Sequence, residues 1–127
     1  MFGEEHPNTI AAMGNLAVTY GDLRRWDDAV SLQERGLEGR IRILGEEHPH
    51  TLMMMANLAV TYFDRREWME AAMLQEKVLE VRDRLLGEGH SFTITAVANL
   101  AATYHCQGRW TDAISLEEKV LESRRKG

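Results

Sequence analysis

Apolar residues recur along the chain in helical phase, interrupted at regular places by polar breaks. Ile10, Met13, Leu16, Ala17 and Tyr20 lie at the i, i+3, i+4 spacing of one helix face, which predicts a helix over about residues 7–22. Pro7 and Pro49 stand just after His6 and His48, where a missing N–H in the first helical turn costs nothing. The break Asp22-Leu23-Arg24-Arg25 follows, and a second apolar series starts near Trp26 and carries Ala29, Leu32, Leu37 and Ile41 inward. Asp27 and Asp28 sit at the positive start of that second helix, and Arg40 and Arg42 near its negative end before Gly45. Glu38 to Arg42, Glu80 to Arg84 and Glu122 to Lys126 are i, i+4 pairs in the favourable order, worth about 0.2–0.5 kcal/mol each.

The pattern is written three times. NLAVTY at Asn15–Tyr20 returns at Asn57–Tyr62, and as NLAATY at Asn99–Tyr104, each 42 positions on. Aligning Gly3, Gly45 and Gly87 extends the identities through Trp26/Trp68/Trp110, Ala29/Ala71/Ala113, Leu32/Leu74/Leu116, Glu34/Glu76/Glu118, Leu37/Leu79/Leu121 and Arg40/Arg82/Arg124. Self-similarity at this period marks stacked helix pairs, each unable to bury its apolar face alone. The expected architecture is all-α, one domain over 1–127 built from three antiparallel helix-turn-helix units at 3–44, 45–86 and 87–127.

The residues resemble a known family at this point. Asn-Leu-Ala, Tyr four after the Leu, an aromatic six further on and Ala three beyond that are similar to the tetratricopeptide repeat. The 42-residue period with GEEHP, NLA, YxxxGRW and EKVLE resembles the long variant of kinesin light chains and of fungal and bacterial NTPase-type signalling proteins. The resemblance covers the whole chain. It implies a right-handed superhelical solenoid in which the first helix of each unit (helix A) lines a concave groove and the second (helix B) forms the outer wall. Such repeats serve many unrelated ligands, so no partner is named by it.

Three departures from the family pattern carry physical consequences. The turn glycine is present as Gly108, but its counterparts are Arg24 and Arg66, each costing about 1 kcal/mol if the turn needs a left-handed residue. Gly36 and Gly39 stand inside helix B of the first unit, where each loses up to about 1 kcal/mol against Ala, so this unit is expected to be the softest. The third loop reads GEGHS and lacks the proline, a weaker helix start.

Composition narrows the function classes. Twenty acidic against 15 basic residues, net charge −5, argue against nucleic-acid and anionic-membrane partners, which need a basic footprint. The single cysteine, Cys106, forms no disulfide within the chain and suits a reducing, cytoplasmic setting. No apolar run of membrane-spanning length and no signal-peptide pattern occurs.

With Leu16, Ala17, Tyr20, Ala29, Leu32, Leu37 and their copies assigned to packing, the other face of helix A remains for function. It holds Asn15, Val18 and Asp22 in the first unit, Met53, Asn57, Val60, Phe63 and Asp64 in the second, and Thr95, Asn99, Ala102 and His105 in the third. These positions match those that line the groove in tetratricopeptide repeats. The asparagine ladder Asn15, Asn57, Asn99 offers donors and acceptors that can bracket the peptide bonds of an extended ligand, or can instead fix helix packing. Met53, Val60, Phe63 and Ala102 add apolar contact, and Asp22 and Asp64 would suit a basic residue. A carboxylate-binding groove is disfavoured, because its cation positions are Gly14, Val18, Thr95 and Asn99 here.

A catalytic reading is weak. His6, His48 and His90 belong to successive units separated by helix contacts of about 8–10 Å each, too far apart to share one ion about 2 Å from each ligand. They read as loop or cap residues. Adjacent helix positions such as His105 and Cys106 point about 100° apart and do not pair as base and nucleophile. No phosphate loop or nucleophile elbow occurs, and no cofactor or metal is implied. The expected function is a non-catalytic module binding a peptide or protein segment. The alternative is self-assembly into homo-oligomers through solenoid ends that lack a covering polar helix, as in a part of a longer array. In the run Thr51-Leu52-Met53-Met54-Met55-Ala56 at least one Met must be exposed, since one stripe cannot hide all three.

Overall fold

The computed structural model describes residues 16, 17, 19, 23 and 25–126. Among them five helices follow one another: α1 (Trp26–Leu44), α2 (Pro49–Asp64), α3 (Trp68–Leu86), α4 (Ser91–Cys106) and α5 (Trp110–Lys126). Leu16, Ala17 and Thr19 are helical as well, within the stretch 7–22 that the sequence assigns to helix A of the first unit. The chain forms two compact units, Met1–Arg66 and Glu67–Gly127. The boundary falls inside the second sequence repeat. Each unit therefore joins helix B of one repeat to helix A of the next.

In the first unit α1 begins at the tryptophan that the pattern predicts. Asp27 and Asp28 lie in its first turn, and Arg25 Nε donates to Asp28 Oδ2 at 2.8 Å. It ends where the Gly45 amide donates to the Ile41 carbonyl at 2.9 Å. His48 then caps α2: its Nδ1 accepts from the His50 amide at 3.1 Å, with Pro49 in the first helical position. The core between α1 and α2 is made of Ala29, Val30, Leu37, Leu52, Met55, Leu58 and Ala59. Each large side chain among them contributes roughly 1.5–3 kcal/mol by leaving water.

The second unit repeats these devices with one more helix. His90 Nδ1 accepts from the Phe92 amide at 3.0 Å, so α4 keeps its cap although the loop has no proline. The histidines at 48 and 90 are cap residues, as the loop chemistry suggests; His6 lies outside the described residues. Helix α4 packs against both α3 and α5. Ala72, Leu100, Ala101, Tyr104 and Ala113 form one buried cluster, with Leu79 and Leu116 packed against it.

Both units close with a tyrosine–glutamate clasp between helix B and the next helix A, in which the neighbouring glutamines are engaged differently. In the first, Tyr62 OH donates to Glu34 Oε1 at 3.1 Å and Gln33 Nε2 to the Asn57 carbonyl at 3.5 Å. In the second, Tyr104 OH donates to Glu76 Oε2 at 2.5 Å, and Thr103 Oγ1 lies 2.5 Å from Gln75 Oε1. Gln33, Gln75, Thr61 and Thr103 are all buried. A buried amide or hydroxyl without a partner costs about 1–3 kcal/mol. Gln75 and Thr103 meet this as a facing pair, whereas Gln33 and Thr61 both turn to the Asn57 carbonyl and Gln33 Oε1 has no hydrogen-bond partner among the described residues.

Two packing expectations need correction. Leu16 and Leu121 are exposed, at 43% and 60%, whereas Leu58 and Leu100, copies of Leu16, are 3% exposed. Leu58 and Leu100 bury against the helix B that precedes them, and among the described residues nothing precedes Leu16 in that way or follows α5. The turn expectation holds at two of its three positions, where Arg66 has φ 66° and its counterpart Gly108 φ 75°; Arg24 lies outside the described residues. The arginine bears the steric penalty of about 1 kcal/mol that glycine avoids. Gly36 and Gly39 are buried, at positions filled in the second repeat by the buried Val78 and Val81.

Candidate protein-interaction surface

Helix α2 presents Met53, Asn57, Val60 and Asp64 on one face, because i, i+4, i+7 and i+11 return to the same side of a helix. All four are exposed, Met53 at 53% and Val60 at 47%. Of the three consecutive methionines, Met53 is the one at the surface, Met54 is half-buried and Met55 is in the core. Phe63 lies at the margin of this face and is half-buried.

On α4 the same register places Thr95, Asn99 and Ala102 together, with Cys106 beyond them as an exposed free thiol. Thr95 and Ala102 are exposed and Asn99 is half-buried. The Thr95 hydroxyl donates to the Ser91 carbonyl of its own helix at 3.0 Å, which occupies its proton. His105 stands apart from this group. Its Nε2 lies 2.9 Å from Glu117 Oε1, and its ring centroid is 5.2 Å from that of Trp110, so it ties α4 to α5. Asn15, Val18 and Asp22 lie outside the described residues.

The asparagines use their backbone and side chain differently. The Asn57 carbonyl accepts from Gln33 and from Thr61 Oγ1 at 3.4 Å, and the Asn99 carbonyl is 3.2 Å from Thr103 Oγ1. Their side-chain amides make no hydrogen bond among the described residues. The packing role falls instead to Gln33, Gln75, Glu34 and Glu76 on helix B. Sequence reasoning assigned those four no contact, although Glu34/Glu76, Thr61/Thr103 and Tyr62/Tyr104 recur together at the repeat period.

The strongest electrostatic perturbation belongs to the clasp of the second unit. Burial, then the hydrogen bond and charge of Glu76, push the Tyr104 hydroxyl up to about 12. Arg109 covers the Tyr104 ring at 4.0 Å and binds Asp112 at 2.9 Å. A tyrosine held neutral in this way is a donor, not a base. Its raised folded-state value means its contribution to stability is fully present below the ordinary tyrosine value near about 10 and is lost as pH rises through about 12. Thermal melts of the wild type should accordingly decline more between those two pH values than melts of Tyr104→Phe; equal decline would show that the hydroxyl is not so coupled. Arg82, partly buried, is lowered by desolvation, and its Nη1 donates to the Phe92 carbonyl at 3.3 Å.

Among the described residues no group of three or more His, Cys, Asp or Glu side chains gathers as a metal site. Nor is any helix among them long and apolar enough to cross a membrane.

Comparison with known proteins adds the family to this geometry. A tetratricopeptide repeat profile matches residues 51–126, and a second one matches residues 9–50. The chain belongs to the tetratricopeptide repeat family. Over 97% of its length it is similar to the crystal structure of BtubC (BKLC) from P. vanneervenii, with TM-score 0.87 and 23% identity. Over 98% it is similar to a Podosopora anserina protein of nearly identical TPR-like repeats named for the kinesin light chain, with TM-score 0.88 and 28% identity. A single-substitution variant of that protein gives 0.87 at the same identity. The chain spans 49% of the length of BtubC and 59% of the Podosopora anserina chains. No curated protein matches it. Together with the absence of strands among the described residues, these likenesses make the fold an all-α helical-repeat solenoid of the kind seen in kinesin light chain repeats. Tetratricopeptide repeats mediate protein–protein interaction, and that is the class of function the family supports.

Proposed function

We propose that this tetratricopeptide repeat chain is a non-catalytic cytoplasmic adaptor, a single domain of three repeats that binds an extended peptide segment through the exposed faces of its A helices. The observation that supports this most is the pair of side-chain amides at Asn57 and Asn99. They recur at the same register on α2 and α4, and neither is used within the described residues. Each can donate to a carbonyl and accept from an amide of a ligand backbone. Met53 and Val60 supply apolar contact beside them, and Asp64 favours a ligand with a basic residue. By sequence Asn15, Val18 and Asp22 are the first repeat's copies of these positions, the ones that match groove positions in the family. Phe63 lies at the margin of the α2 face, whereas His105 is engaged by Glu117.

Peptides selected from a random displayed library provide the test. The double variant Asn57→Ala with Val60→Asp should weaken their binding at least about tenfold, as loss of a contact worth about 1.4 kcal/mol does. Helicity and melting should be nearly unchanged, because both side chains are exposed. Binding that survives this variant and is lost with Met69→Asp and Met73→Asp, exposed on α3, would place the interaction elsewhere.

A further inference from the structure

Acids and arginines at the ends of the described helices follow one rule with two exceptions. Asp27, Asp28, Glu70 and Asp112 stand in the first turns of α1, α3 and α5, and Arg42 and Arg84 in the last turns of α1 and α3. Each suits the partial charge of its helix end. Asp83 on α3 and Asp64 on α2 instead occupy last turns, where the open carbonyls repel a carboxylate. Asp83 is compensated, because Lys119 Nζ lies 3.5 Å from its Oδ2. Asp64 is exposed and has no ion pair or hydrogen bond among the described residues. Its neighbour Arg65 is held by Asp27 at 2.9 Å, and Arg66 makes no ion pair with it.

An unpaired carboxylate at the negative end of a helix weakens the fold. A residue that breaks a local rule with no compensation inside the chain marks a place that serves something else. Asp64 stands one turn beyond Val60, about 6 Å along the axis, on the face that also carries Met53 and Asn57. Asp22 is its copy by sequence, and the third repeat has Cys106 there.

Building on that face as the proposed peptide site, we infer that Asp64 is its specificity-determining residue and selects peptides in which a Lys or Arg lies two positions from an apolar residue. Alternate residues of an extended chain point to one side about 6.6 Å apart, close to the step from Val60 to Asp64. The apolar side chain meets Val60 while the cation meets Asp64. That cation supplies the partner the carboxylate lacks and the positive charge that the helix end favours.

Peptides selected on the wild type from a random displayed library should be enriched in Lys or Arg at that spacing. A selected basic peptide should bind Asp64→Asn about three- to fivefold more weakly, as for loss of an exposed ion pair, and Asp64→Lys at least about tenfold more weakly. Raising salt from about 0.05 M to about 0.5 M should remove most of the difference between wild type and Asp64→Asn. Asp64→Asn should melt at or above the wild-type temperature and Asp64→Lys higher, since each relieves the repulsion at the helix end. Binding lost while stability is kept or raised is a pattern that a structural role does not produce. Peptides that lose binding to the Asn57→Ala, Val60→Asp variant but bind Asp64→Asn as they bind the wild type would overturn the role of Asp64 and leave the α2 face as the peptide site. Binding indifferent to all of these changes would remove that site and the role of Asp64 together. A lower melting temperature for Asp64→Asn would show that the carboxylate serves the fold, and would equally overturn the inference.

Discussion

Leu100→Ala is expected to destabilise the protein by about 2–5 kcal/mol, the range for removing three carbons from a packed core. Leu100 is 3% exposed and sits in a cluster whose other members include Ala72, Ala101 and Ala113. Alanines have no rotamer with which to fill the space, so the cavity persists and the cost should fall in the upper half of that range. Against a total of about 5–15 kcal/mol for a typical domain, this is a large fraction. Leu16→Ala alters the same repeat position where the side chain is exposed, and there the monomer should lose less than about 1 kcal/mol. Urea melts followed by circular dichroism give both values. Equal losses would mean that the exposure difference between the two leucines does not govern their contributions.

Thr103→Val should cost about 1–3 kcal/mol although it preserves volume, because it leaves Gln75 Oε1 buried without a donor. The hydroxyl stands 2.5 Å from that oxygen and 3.2 Å from the Asn99 carbonyl, and has one proton to give; the shorter contact to the buried amide is the one that matters. Gln75→Leu in the same background removes the stranded acceptor and should recover most of the loss, since replacing both partners with apolar groups is nearly neutral. Thr103→Ser should retain the bond and lose only a methyl. If the double variant is as unstable as the sum of the single ones, the clasp is not a pairwise interaction.

Much of this architecture is legible in the sequence for a simple reason. Three aligned copies average out local ambiguity, so the helix start at tryptophan and the histidine cap each have two or three witnesses: α1, α3 and α5 begin at Trp26, Trp68 and Trp110. The turn residue was legible as a conflict between Arg66 and Gly108, and the positive φ at both shows that the backbone decides and the side chain yields. Burial of the copies was less legible, because Leu16, Leu58, Leu100 and Leu121 read alike in the pattern. What separates them is whether another helix lies alongside, which is a property of neighbours and not of the residue.

The candidate surface was legible as a register and not as a set of contacts. The spacing puts Met53, Asn57, Val60 and Asp64 on one side of α2, and Thr95, Asn99 and Ala102 on one side of α4. It places His105 beside them, but its proximity to Glu117 depends on how α5 returns, which the helix period alone does not encode. The asparagines and the glutamines are both polar and both recur. Only their placement shows that Gln33 and Gln75 are buried in the clasp while the Asn57 and Asn99 amides are not engaged.

The measurement that bears most directly on the function is amide chemical-shift mapping with a selected peptide. The changes should concentrate on residues 53–64 of α2 and 95–102 of α4 and spare Met69 and Met73 on α3. Changes confined to α3 and the outer side of α1, with α2 and α4 unmoved, would contradict this assignment of the surface.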